Sequence, residues 1–137
     1  MSWDIFVQDL PVAARNVTDV PDDFRPSPLG PRAQLMERIR TFAPATRFAD
    51  EVWGSFESPS FSVEFNLGAS DPVESVALHV RGDDTAAAFV ADLLEYLGCR
   101  ALDSQSPSGL FEAGAVPAAS LRRWREYRDR LLRPRAV

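Results

Sequence analysis

Apolar and polar residues alternate most strictly between Ser60 and Gly82, and the alternation predicts two adjacent strands. In Ser60–Leu67, Phe61, Val63, Phe65 and Leu67 fall on one side and Ser62, Glu64 and Asn66 on the other. In Glu74–Gly82, Val76, Leu78 and Val80 oppose Ala77, His79 and Arg81, and Gly68-Ala-Ser-Asp-Pro72 supplies the turn between the two strands. One side of such a sheet needs a core, while the reverse carries polar groups.

The same period of two marks Trp3–Leu10, with Ile5 and Val7 on one side and Asp4, Phe6 and Gln8 on the other, and Val52–Glu57, which turns back through Ser58-Pro59. Cys99–Leu102 is a short closing strand. A period near 3.6 marks three helices. Gly30-Pro31 opens the first, with Leu35, Met36, Ile39 and Phe42 on its apolar stripe, Arg32, Glu37, Arg38 and Arg40 expected in water, and Pro44 at its end. Asp83 and Asp84 open the second, over 85–97, which buries Ala86, Phe89, Val90, Leu93, Leu94 and Leu97 and ends on a left-handed Gly98. Pro117 starts the third, over 117–133, with Leu121, Trp124, Tyr127, Leu131 and the stem of Arg128 on one face and Pro134 closing it.

Two segments lack either period. Residues 11–30 form a long Pro-rich loop whose Pro11, Pro21, Pro26 and Pro28 favour turns, and which Val17, Val20, Phe24 and Leu29 are expected to pin as an ordered strap. Residues 103–114 are a second loop, with Leu110 and Phe111 tucked inward. The element order predicts a single α+β domain over 1–137. The plan is ferredoxin-like, a β-α-β-β-α-β antiparallel sheet with an extra meander strand and an added C-terminal helix. In that plan both core helices cover one face of the sheet. The other face is solvated, covered by the last helix and the long loop, or used to bind something.

The segments Ser2-Trp-Asp-Ile-Phe-Val-Gln-Asp-Leu-Pro11, Trp53-Gly54, Ser62-Val-Glu-Phe-Asn-Leu-Gly68, Leu78-His-Val-Arg-Gly82 and Arg100-Ala-Leu-Asp103 resemble those of a family of small bacterial proteins that open with Trp-Asp-Ile-x-Val-Gln-Asp. The resemblance spans most of the chain. It implies a bacterial, cytoplasmic, single-domain protein and carries no activity, cofactor or site residue.

Composition narrows the classes. A chain of 137 residues, 45% hydrophobic and 26% charged, can bury one ordinary core without a metal or disulfides. Cys99 is the single cysteine and is read as a small buried apolar side chain in a reducing, cytoplasmic setting. The first residues lack the basic start of a signal peptide, and no apolar run approaches the roughly 20 residues of a membrane span, so no membrane partner is expected. The net charge of −5 disfavours non-specific polyanion binding, yet its distribution is uneven. Residues 121–137 hold seven of the fifteen arginines against Glu126 and Asp129, a local +5, and the rest of the chain carries −10.

Chemistry-bearing residues are sparse. His79 is the single histidine and has no ligand-spaced neighbours, so no metal site is assigned. No G-x-S-x-G, Walker loop, H-E-x-x-H or Rossmann glycine pattern occurs, and Gly82-Asp-Asp would repel a phosphate from the start of the second helix. Asp103-Ser104 with Ser106 and Ser108 lacks a nearby histidine in sequence, and Asp22-Asp23 lacks the alternating oxygen ligands of a calcium loop. No catalytic residue or cofactor is assigned. The leading expectation is a non-enzymatic module that contacts another protein, or a second copy of itself, through the C-terminal helix or through a polar sheet face carrying Gln8, Glu64, Asn66, His79 and Arg81. One alternative is a small-molecule-binding or enzymatic domain with a pocket on that face near His79, roofed by residues 11–30. Another is nucleic-acid binding by the arginine-rich helix, where guanidinium groups flank Trp124 and Tyr127, although the net charge makes it the weaker reading.

Overall fold

The computed structural model describes residues 3–132. Six strands form one antiparallel sheet: β1 (Trp3–Gln8), β2 (Arg47–Phe48), β3 (Trp53–Glu57), β4 (Phe61–Asn66), β5 (Val76–Gly82) and β6 (Arg100–Asp103), in the order β2-β3-β4-β5-β1-β6. Three helices accompany it: α1 (Arg32–Phe42), α2 (Thr85–Leu97) and α3 (Ala118–Leu132). The α+β class therefore stands, but the sheet departs from the expected plan. It has two strands, β2 and β3, beyond β4, where one added strand was expected. A two-residue strand such as Arg47-Phe48 is too short to show any periodicity. The strands at 3–10, 60–67 and 74–82 are each a few residues shorter than their alternation suggests, and β6 runs one residue further on, to Asp103.

The core lies between the sheet and the helices. Ile5, Val7, Phe56, Val63, Phe65, Val76, Leu78 and Val80 point inward from the strands and pack with Leu35, Ile39 and Phe42 of α1. Ten of the 13 residues of α2 are buried, because this helix meets the sheet on one side and α1 and α3 on others. Phe89 of α2 is the hub. Its ring lies 5.1 Å from Phe56, 5.5 Å from Phe42, 5.5 Å from Phe61 and 5.0 Å, edge-on, from Trp124. Such aromatic pairs add about 0.5–1.5 kcal/mol each beyond the area they bury. Close approach also fixes Gly54: a Cβ there would stand 2.6 Å from the Phe48 ring, so only glycine lets β2 lay its aromatic side chain across β3.

A buried carboxylate holds α3 in place. Asp92 of α2, 7% exposed, accepts hydrogen bonds from Trp124 Nε1 (3.0 Å), Arg125 Nε and Nη2 (3.2 and 2.9 Å) and Arg128 Nη1 (3.3 Å). The bonds to Asp92 push the already high pKa of Arg125 further up. Trp124 is fully buried, while Leu121, Tyr127 and Leu131 pack around it half-buried, as the apolar stripe predicts. The expected end of this helix at Arg133 and Pro134, together with Arg135, lies outside the described residues.

Arginine also organises the loops, and here an expectation is corrected. Arg32 is buried rather than wet: its guanidinium donates to the carbonyls of Glu51, Gly68 (2.7 Å) and Ser70 (2.6 Å), so the start of α1 clasps two connections at once. Arg100 Nη1 donates to the Pro11 and Ala14 carbonyls, both at 2.7 Å. With the Asp9–Ser27 and Gly30–Val73 bridges, these bonds make residues 11–30 an ordered strap. Val20 and Phe24 pin it against a second small cluster of Leu10, Ala14, Leu110 and Leu102, and Leu29 packs on the main core. Val17, although its side chain is partly exposed, also ties the strap down: its N–H donates to the Ser108 carbonyl at 2.8 Å and its side chain lies over Gly109. Cys99 is half-buried and lies just before β6 instead of within the core. No helix among the described residues is long and apolar enough to cross a membrane.

Removing a hydrogen-bond acceptor costs most where the donor left behind is buried away from water. Asp92→Ala leaves partly exposed guanidinium groups that water can solvate, but strands the buried Trp124 N–H, and is expected to cost about 1–3 kcal/mol in urea unfolding. Arg125→Ala, whose side chain is half-exposed, is expected to cost less than about 1 kcal/mol.

Candidate functional site

Strand pairing places the outward residues in rows that cross the sheet. One row reads Arg47, Ser55, Glu64, His79 and Asp4 from β2 to β1. The next reads Trp53, Asn66, Ala77, Phe6 and Leu102 from β3 to β6. A third holds Glu57, Ser62 and Arg81, and Gln8 pairs with Arg100 at the far end. All five residues expected on this face are thus on it, but they do not converge. Glu64 and His79 are direct neighbours, Arg81 and Asn66 lie one row to either side, and Gln8 is remote. Asn66 Oδ1 is occupied by the Gly68 N–H at 2.9 Å.

His79 is held from two directions. Its Nδ1 lies 2.8 Å from Asp4 Oδ1, and its ring stacks on Trp53 with centroids 6.0 Å apart and planes 29° apart. Trp53 is in turn positioned by Asp50, whose carboxylate accepts the N–H groups of Val52 (2.7 Å) and Trp53 (2.8 Å). These two backbone bonds hold the Asp50 carboxyl below its ordinary range. Trp53 and Phe6, at 40% and 45% exposure, are the large apolar side chains left open on the face. Alternation already places Phe6 with Asp4 and Gln8, and Trp53 with Ser55 and Glu57, on the outward side. The pairing of β1 with β5, which brings Asp4 to His79, has no local signal.

The face is a floor without a roof. The strap packs its Val20 and Phe24 at the β6 end, against Leu102 and Leu110, and leaves Phe6 and Trp53 in water in the row beside His79. A roofed pocket over His79 is therefore not what residues 11–30 build. A cleft of about 520 Å³ lies elsewhere, between α2, the start of α3 and residues 111–113. Its polar lining is largely committed to structure: Asp92 and Arg125 pair with each other, and Arg100 holds the strap. Burial raises the pKa of the Cys99 thiol there, with the Asp9 charge adding to the rise, so it is a poor nucleophile. Ser108, a candidate from the sequence, spends its hydroxyl on the turn at Leu110. Among the described residues no cluster of three or more His, Cys, Asp or Glu side chains could hold a metal.

Four of the arginines of α3 are also engaged internally. Arg125 and Arg128 bind Asp92, Arg123 lies 4.0 Å from Asp83, and Arg130 sits over the Tyr127 ring, while Trp124, the larger of the two aromatics, is buried and unavailable for stacking. Compared with protein-family models, with curated proteins and with solved structures, the chain gives no match.

Two outcomes test this geometry. A carboxyl whose pKa is lowered by folding stabilises the fold above its unfolded pKa, about 3.9, and ceases to do so as pH falls through the folded value. The stability difference between the native chain and Asp50→Ala is therefore expected to be positive at neutral pH and to shrink below about pH 4 in urea titrations. His79→Ala removes a cross-strand surface pair and is expected to cost about 1 kcal/mol or less, with a red shift in tryptophan emission as Trp53 loses its stacking partner.

Proposed function

We propose that this chain is a non-catalytic protein-interaction module and that the reverse face of its sheet is the contact surface. One observation carries the reading: a sheet face that no helix covers among the described residues exposes Trp53 and Phe6 in one row, directly beside a mixed polar row centred on Glu64 and His79. Aromatic anchors ringed by polar groups are what a contact surface needs, since aromatics give buried area at small entropic cost and the polar ring fixes orientation. The face lacks the enclosure of a catalytic pocket, and among the described residues Glu64, His79 and Asp4 form an open row across it with no cavity above them.

The order β4-β5-β1-β6 supports reading the central part of the fold as ferredoxin-like, with β2, β3 and α3 added to it. A bacterial, cytoplasmic setting belongs to the same proposal. Its supports are the likeness of the opening Trp-Asp-Ile-Phe-Val-Gln-Asp segment to small bacterial proteins and an unpaired, half-buried cysteine suited to a reducing compartment.

The test is retention from a native bacterial lysate by the immobilised chain, compared with a Phe6→Ser/Trp53→Ser variant. Proteins held by the native chain are expected to fall by about tenfold or more on the variant, the scale of losing an aromatic anchor. Equal retention by both would remove the face from consideration.

A further inference from the structure

The reverse face has a property that picks out one partner. Consider a two-fold axis lying along the strands at the centre of the six-stranded sheet, between β4 and β5. It sets β4 against the β5 of a second copy, and β3 against that copy's β1. In the polar row Glu64 then meets the second copy's His79, and Ser55 meets its Asp4; in the next row Trp53 meets Phe6 and Asn66 meets Ala77. Every aromatic faces an aromatic, and each of these carboxylates faces an imidazole or a hydroxyl. Moving the axis by half a strand spacing destroys this. Centred on β4 it opposes Glu64 to Glu64, and centred on β5 it opposes Glu64 to Asp4. Shape agrees with charge: the strap thickens the β6 end, and the strand brought opposite it, β2, is only two residues long.

We infer that the reverse face pairs with the same face of a second copy, through a two-fold axis between β4 and β5 that brings Glu64 to His79 and Trp53 to Phe6 across the interface. This rests on the proposed use of the face as a contact surface and names its partner. Isologous pairing of this kind requires a self-complementary patch, and the row order supplies one. Four strands at about 4.8 Å spacing and about 6 residues of roughly 3.4 Å rise enclose some ~400 Å² of flat face per copy. This is below the about 800 Å² per partner of a standard interface, so the dimer is weak and concentration-dependent.

Sedimentation velocity over a wide concentration range reads the association directly. The native chain is expected to pass from monomer to dimer. Glu64→Arg and His79→Glu, each placing like charges or a cation against imidazole across the axis, are expected to weaken association about tenfold or more. The double variant E64R/H79E restores opposite charges and is expected to recover association close to the native value, with circular dichroism confirming the fold of each. Register is tested separately in a Cys99→Ser background with a short bismaleimide spanning about 10 Å, the face-to-face distance of packed sheets. A mixture of F6C and W53C chains is expected to cross-link, and neither variant alone. Cross-linking within a single variant, or a dimer indifferent to both charge reversals, overturns the pairing proposed. A strict monomer at every concentration overturns self-association, while the loss of lysate retention in the Phe6→Ser/Trp53→Ser variant separately decides whether the face contacts a different protein.

Discussion

The position of α3 depends on one buried carboxylate. Asp92 sits on the buried side of α2, where an unpaired charge would be untenable, and it is made tolerable by the Trp124 indole and two guanidinium groups that reach it from α3. The contact is directional in a way that oily packing is not, since it requires α3 to lie against α2 with Trp124 turned inward. Trp124 then completes the ring cluster around Phe89. By drawing the last helix to the side already occupied by α1 and α2, Asp92 also decides that the opposite side of the sheet stays bare. The open face and the buried carboxylate are two aspects of one arrangement.

Guanidinium groups play a second structural part in the connections. Arg32 gathers carbonyls from the turn before β3 and from the segment after β4, and Arg100 gathers two from the strap. A planar fork with several N–H donors can serve several carbonyls at once, which a single ammonium does less well. The chain contains no lysine, so each such clamp is an arginine. Fixing the ends of β3 and β4 in this way keeps Trp53 and Asn66 in register, and with them the shape of the outward rows.

How much of this was legible varied with how local the cause was. Alternation in 60–82 and in 3–8 assigned Glu64, Asn66, His79, Arg81 and Gln8 to one side correctly, because a period of two is a property of consecutive residues. The apolar stripes of α1 and α2 were equally visible. Asp92 was not, since an acid among alanines and leucines gives no hint that a tryptophan and two arginines 32 to 36 residues later will meet it. Arg32 was misplaced for the same reason: helix periodicity sets a charged first-turn residue in water, and only the convergence of two distant loops buries it. His79 was placed on the right side, next to Glu64, but its hydrogen-bond partner was not visible, because Asp4 joins it only through the pairing of β1 with β5.

The lengths of the outermost strands bear on how copies of this molecule can associate. β2 offers two residues and β6 four, so neither margin presents a long run of free backbone donors and acceptors to a neighbouring chain. Lateral addition of strands is the route that has no natural end and leads to fibres, whereas two faces laid together by a two-fold close on themselves. Margins this short give a neighbouring strand little to extend, so a pairing of broad sides such as the one proposed would end at two copies.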